Sequence, residues 1–174
     1  MAWIVKNSAG TKIDRREEPY LTEAIREHLR TEVLGRYPTK RASTLPALHA
    51  VQDAYGWIPS QAIEEIAGFL DLAAAEVLDT ATFYEEYFLE PKGRNVVWVC
   101  QSISCELRGQ ETLLEQIKEK LGIEPGQTTE DGRFTLKTAE CLGSCGTAPC
   151  ALVNETLHEN LTFEDFKRIV DDME

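Results

Sequence analysis

The sequence contains no long apolar segment. No stretch of its 174 residues approaches the roughly 20 consecutive apolar residues that a membrane-spanning helix needs. The segment Met1–Tyr20 also lacks the basic start and the apolar middle of a secretory signal peptide. We therefore expect no direct insertion into a membrane and a cytoplasmic location, where thiols stay reduced.

Positive charge is scarce as well. The chain has 18 lysines and arginines against 30 aspartates and glutamates, which gives a formal net charge of -12. An acidic surface repels phosphate backbones, so we expect no nucleic-acid partner. The glycine-rich loops that bind dinucleotides or nucleoside triphosphates are missing too, and the chain therefore offers no visible nucleotide site.

The two halves of the chain differ in their hydrophobic pattern. From Leu21 onwards apolar residues recur at helical spacing, and Thr22 and Ser60 are suitable N-caps. The turn-forming segment Pro91-Lys92-Gly93 then separates this half from one with a different pattern. The sequence predicts an α+β protein with a polar N-terminal extension over residues 1–20, a helical domain over 21–90 and a second domain over 91–174.

The second half begins with the continuous apolar run Val96–Val99, which is typical of a buried strand. The later pattern predicts a β-α-β-β-α order, in which Thr162 and Asp165 form a capping box for the last helix. The remaining predicted elements are a helix over Gln110–Leu121 and strands over Phe134–Lys137, Ala151–Val153 and Thr156–His158.

The cysteines carry the most specific pattern. Four residues separate Cys100 from Cys105, three separate Cys141 from Cys145, and 35 lie between the two pairs. Disulfides are disfavoured in a reducing compartment, and four thiolates suit either a structural zinc ion or an iron–sulfur cluster. Because these spacings are wider than the C-x2-C turns common around zinc, they favour a 2Fe–2S cluster with one pair on each iron.

The loops around the cysteines suit such an anionic cluster. Small residues in the two loops allow backbone N–H groups to turn toward sulfur, and we expect Ile103, Leu107 and Leu142 to shield the cluster from water. The predicted role is one-electron transfer, with Cys100, Cys105, Cys141 and Cys145 as ligands. Cys150 is interpreted as a small buried hydrophobic residue that could replace a ligand only in a damaged site.

Several segments of the chain match a known family. The sequence resembles the small 2Fe–2S subunit of the NADH dehydrogenase module of respiratory complex I, a type also found in NAD-linked hydrogenases and formate dehydrogenases. The matching segments are Tyr55–Pro59, Ala81–Tyr84, Val99–Cys105, Leu121–Ile123, Thr129–Phe134, Glu140–Cys145, Ala148-Pro149 and Val153-Asn154.

The resemblance implies a helical domain followed by a thioredoxin-like 2Fe–2S ferredoxin domain. It also implies a larger partner subunit that holds FMN and binds NADH, further iron–sulfur subunits, and a peripheral place at the inner face of a membrane. The four cysteines of the two pairs carry over as ligands, whereas Cys150 departs from the family pattern. Two alternatives remain at this point: a structural zinc protein that acts as an interaction module, and a stand-alone ferredoxin.

Overall fold

The computed structural model describes residues 15–173. Residues 1–14, which make up most of the predicted N-terminal extension, lie outside the described part. The chain divides into two compact units, Met1–Pro91 and Lys92–Glu174. No helix within residues 15–173 combines the length and the apolar character needed to cross a bilayer.

The described part of the first unit is helical. Its four α-helices are α1 (Glu23–His28), α2 (Thr44–Tyr55), α3 (Ser60–Leu70) and α4 (Ala74–Phe83). A π-helical turn over Leu29–Val33 continues α1, and short 3-10 turns follow over Leu34–Arg36 and Lys40–Ser43.

Local chemistry explains where these helices begin and end. The Thr22 hydroxyl accepts a hydrogen bond of 3.3 Å from the backbone N–H of Ile25, which confirms Thr22 as the cap of α1. Gly56 ends α2 with a φ of +80°, a conformation that costs glycine little. Side chains of these helices and of the segment between α2 and α3 fill one apolar core, whose fully buried members include Leu48, Ile58, Ile66, Leu70 and Val77.

The end of the predicted extension contacts these helices. The backbone N–H of Arg16 donates to Oε1 of Gln61 at 3.0 Å, and its guanidinium lies 3.6 Å from the centre of the Tyr20 ring. Arg15 forms an ion pair with Glu64 at 2.5 Å. Residues 15–20 therefore lie along the helical unit.

The second unit contains a four-stranded sheet in the order β2-β1-β3-β4. β1 pairs in parallel with β2 and antiparallel with β3, and β3 forms a hairpin with β4. The strands are β1 (Asn95–Cys100), β2 (Phe134–Ala139), β3 (Ala151–Val153) and β4 (Thr156–His158). The helices are α5 (Ile103–Leu107), α6 (Gln110–Leu121) and α7 (Phe163–Asp171).

The core of this unit joins the sheet to α6 and α7. Ile117 of α6 and Phe166 of α7 are both 0% exposed and belong to one cluster with Val97 and Leu136 of the strands. The predicted capping box at the start of α7 is present, since the Thr162 hydroxyl accepts from the Asp165 N–H. Helices and a mixed sheet together confirm the predicted α+β class.

Candidate metal centre

The parallel pairing of β1 and β2 brings the cysteine segments to one edge of the sheet. Cys100 is the last residue of β1 and lies opposite Ala139, the last residue of β2. Cys141 follows two residues later. Both cysteine pairs therefore begin where a strand ends, but Cys105 lies on the one-turn helix α5 and not in one of the expected loops.

Three buried thiols form the inner part of the centre. Cys100, Cys105 and Cys150 are 2%, 1% and 1% exposed, and their Sγ atoms all lie within 4.8 Å of one another. The Sγ atoms of Cys105 and Cys150 are 3.9 Å apart. The burial of Cys150 agrees with its interpretation as a small core residue, whereas its position beside the first pair was not foreseen.

Cys141 and Cys145 form a separate, exposed pair whose Sγ atoms lie 3.9 Å apart. Gly143, with a φ of +78°, turns its N–H toward Cys141 and donates to Sγ at 3.4 Å. This contact is the backbone-to-sulfur hydrogen bond that the glycine predicts.

The carboxylate of Glu159 stabilises the loop that contains Cys141 and Cys145 through two hydrogen bonds. It accepts hydrogen bonds from the hydroxyls of Ser144 and Thr147, and these two bonds, Ser144 first, hold its pKa below the usual range. The segment between Cys141 and Thr147 is thereby tied to the chain that follows the β3–β4 hairpin.

Backbone donors favour the thiolate form of Cys100. Burial by itself raises the pKa of this thiol, but the backbone donors of Ser102 and Leu142, together with the thiols of Cys105 and Cys150, lower it, and the net pKa is lowered. Since Leu142 belongs to the second cysteine segment, that segment affects a sulfur atom of the first.

The other two buried thiols are shifted in the opposite direction. Burial and the neighbouring Cys100 raise the pKa of Cys105, and they outweigh the lowering effect of the Cys150 backbone N–H. Burial and the charge of Cys105 raise the pKa of Cys150 to about 12. Low-dielectric surroundings therefore disfavour several thiolate charges here unless a metal ion compensates them.

Two of the three expected shielding residues do not cover the thiols. Ile103 and Leu107, one helical turn apart on α5, are 69% and 81% exposed, so the prediction that they shield the site is wrong for the isolated chain. Both are neighbours in sequence of buried Cys105, but they face outward. Leu142 does pack against the buried cysteines, together with Ala148.

The donor set fits an iron–sulfur cluster. Two thiolates on one tetrahedral metal ion are separated by about 3.8 Å, given metal–sulfur bonds of about 2.3 Å. The exposed pair has a matching separation of 3.9 Å. N–H groups aimed at sulfur also supply the compensation that an anionic cluster needs. The three histidines join no group of metal-binding side chains within residues 15–173.

Comparison with known proteins gives consistent matches across most of the chain. The family described as Thioredoxin-like [2Fe-2S] ferredoxin matches residues 30–174. A subunit of the NADH-quinone oxidoreductase of Escherichia coli (strain K12) is 39% identical over 151 residues, which cover 87% of this chain and 90% of that relative. A subunit of the NADH-quinone oxidoreductase of Rhizobium meliloti (strain 1021) is 43% identical over 127 residues, 73% of this chain and 76% of that relative.

The fold also matches a solved structure. The crystal structure of an NAD+-reducing [NiFe]-hydrogenase in the air-oxidized state aligns with 75% of this chain at a TM-score of 0.65 and 26% identity. The present chain spans 22% of that hydrogenase chain.

Proposed function

The chain belongs to the thioredoxin-like 2Fe–2S ferredoxin family, and on that premise we propose that Cys100, Cys105, Cys141 and Cys145 bind one 2Fe–2S cluster for electron transfer. The observation that carries the assignment is the meeting of both cysteine segments at one sheet edge, where the Gln101 side-chain amide donates to the Glu140 carboxylate at 2.8 Å. When bound, such a cluster supplies uptake and release of single electrons. The protein would fix its four sulfur ligands and stabilise their charge with backbone donors.

The proposed partner is a larger subunit that holds FMN and exchanges electrons with NADH or NAD+. A flavin can accept two electrons as a hydride and release them singly, so the two subunits would divide the chemistry. The sequence of this chain has no nucleotide-binding loop, which supports that division. Further iron–sulfur subunits would complete the complex.

Two types of complex are candidates for the assembly to which this chain belongs. The relatives from NADH-quinone oxidoreductases favour a respiratory NADH dehydrogenase, in which the chain would sit peripherally at the inner face of the membrane. The alternative is a small diaphorase subunit of an NAD-linked hydrogenase or formate dehydrogenase, and the match to an NAD+-reducing hydrogenase supports the hydrogenase form of it.

The exposed apolar side chains near the thiols support a partner at this edge. Ile103 and Leu107 project from α5, whose third residue is the proposed ligand Cys105. Electron transfer requires the two redox groups to approach closely, and a partner that covers this edge would also bury the two side chains. In this proposal residues 91–174 form the cluster domain, and residues 21–90 form the helical domain.

Metal analysis of the full chain, purified without oxygen, tests the cluster. We expect two irons and two acid-labile sulfides per chain, visible absorbance, and an electron paramagnetic resonance signal after reduction. Stoichiometric zinc without iron would instead establish the structural zinc protein, which chelators would unfold.

Matched cysteine variants test the ligand set. Cys141→Ser and Cys145→Ser should lose iron or change its spectrum, because each removes one proposed ligand. Cys150→Ala, which removes a thiol of the same neighbourhood, should keep the iron content and the spectrum. Iron loss in the Cys150 variant alone would show that the proposed ligand set is wrong.

A further inference from the structure

We propose that Cys100, Cys105 and Cys150 form a second metal site, which takes one soft closed-shell ion such as Zn²⁺, Cd²⁺ or Cu⁺ when no cluster is bound. This site is distinct from the proposed cluster site because it uses Cys150 and needs neither Cys141 nor Cys145. It shares Cys100 and Cys105 with the cluster, so the two occupants exclude each other.

The sulfur positions fit a single ion. Three thiolates around one ion, with metal–sulfur bonds of about 2.3 Å, lie about 3.8–4.0 Å apart. Cys105 and Cys150 already have a separation of 3.9 Å, and all three Sγ atoms lie within 4.8 Å of one another. Each sulfur–sulfur separation therefore has to shorten by at most about 1 Å for all three to reach bonding distance of one ion.

The backbone holds the three residues in place from separate elements. Cys100 ends β1, Cys105 lies on α5, and Cys150 directly precedes β3. The Cys100 N–H donates to the Cys150 carbonyl at 3.2 Å, and the Cys105 N–H donates to the Ser102 carbonyl at 2.9 Å. Because pairing in the centre of the sheet fixes two of the three cysteines, the site needs no rearrangement of the exposed loop.

The surroundings select the class of ion. The three cysteines are at most 2% exposed and pack with Ala148, so the donors are sulfur atoms in an apolar setting. No carboxylate or histidine joins them among the residues that the structure describes. Hard ions such as Mg²⁺ and Ca²⁺ require oxygen ligands, whereas thiolates favour Zn²⁺, Cd²⁺ and Cu⁺.

The test uses the full chain after removal of its cluster under reducing, oxygen-free conditions. Titration with Cd²⁺ alone, followed by the ultraviolet thiolate-to-metal absorption, should show one tight ion per chain. X-ray absorption on that complex should find sulfur as the only protein ligand type. A first shell made mainly of oxygen or nitrogen would overturn the proposal without any need for variants.

Three variants locate the ion. Cys150→Ala should weaken Cd²⁺ binding by roughly tenfold or more, while Cys141→Ser, the matched loss of one thiol from the exposed pair, should leave it nearly unchanged. Cys150→Ser, which keeps the side-chain size, should weaken binding as Cys150→Ala does, and circular dichroism checks that each variant is folded.

The reverse pattern, with binding lost in Cys141→Ser and retained in Cys150→Ala, would overturn the inference. The iron content of Cys150→Ala before cluster removal is a separate readout, since it reports on the proposed cluster ligands and not on the site for the single ion.

Discussion

The backbone N–H of Leu142 acts on the thiol of Cys100 and lowers its pKa. A residue in the loop after β2, within the second cysteine segment, thus affects a sulfur atom at the last residue of β1. The Leu142 N–H stabilises negative charge on Cys100, and negative charge increases when an iron–sulfur cluster is reduced.

Removal of this donor should lower the reduction potential. Leu142→Pro has no backbone N–H, so the reduced form loses one stabilising donor near Cys100, and we expect a decrease on the order of tens of millivolts. Redox titration followed by electron paramagnetic resonance measures it. Leu142→Ala keeps the N–H and should shift the potential much less; equal shifts in both variants would show that side-chain packing is responsible.

Two glycines should respond in opposite ways to the same substitution. A Cβ at Gly93 would lie 2.8 Å from the Phe134 carbonyl carbon and 2.9 Å from its nitrogen, and the Gly93 N–H donates to the Thr135 hydroxyl at 2.7 Å. Because backbone must shift, Gly93→Ala should lower the free energy of unfolding by about 1–3 kcal/mol.

Gly68 in α3 is the matched control. Its Cβ would meet nothing within 4 Å, so Gly68→Ala should raise the free energy of unfolding by about 0.5–1 kcal/mol through helix propensity. Urea denaturation of both variants measures the two changes. Equal stability of the Gly93 variant and the native chain would contradict the contact with Phe134.

A charge on α5 should weaken the proposed complex without unfolding the chain. Leu107 is 81% exposed, so Leu107→Glu should change stability by less than about 0.5 kcal/mol. Binding to the proposed flavoprotein subunit should fall roughly tenfold or more if this side chain is buried there. Leu157→Glu, at an exposed site on β4, is the control; a parallel loss of binding in both would argue against a specific surface at α5.

Tyr87 should make the helical unit sensitive to alkaline pH. Its hydroxyl donates to the Leu45 carbonyl at 3.0 Å, and burial is the main reason that its pKa is raised above the ordinary value of 10.0. The unfolded chain therefore loses this proton first, and the stabilisation present below about pH 10 decreases as the pH rises beyond it.

Denaturation at about pH 9 and about pH 11 tests this dependence. Tyr87→Phe should lower the free energy of unfolding by about 1 kcal/mol at the lower pH, because one hydrogen bond is lost. As the pH rises, the free energy of unfolding of this variant should decrease less steeply than that of the native chain. Tyr37→Phe, which removes the hydroxyl of an exposed tyrosine in the same unit, is the matched control. If the free energy of unfolding decreased equally with pH in Tyr87→Phe and in the native chain, the prediction would be contradicted.

Local patterns predicted much of the fold. Caps at Thr22 and Thr162, together with helical spacing of apolar residues, located α1 and α7, and the apolar run before Cys100 located β1. These features depend on neighbours within a few residues, which is why a single sequence contains them.

Contacts between distant segments could not be predicted in this way. Cys150 approaches Cys105 because β1 pairs antiparallel with β3, and sequence spacing alone does not specify that pairing. The outward direction of Ile103 and Leu107 depends on the one-turn helix that contains Cys105, where an open loop was expected.

The unequal burial of the cysteines has a consequence for oxygen tolerance. Peroxide or oxygen arriving from solution meets Cys141 and Cys145 before it can reach Cys100, which is 2% exposed. We therefore expect oxidative breakdown to begin at the outer sulfurs and to proceed inward. A partner subunit that covered this edge, as proposed, would protect the exposed sulfurs and would make the assembled complex more stable in air than the isolated chain.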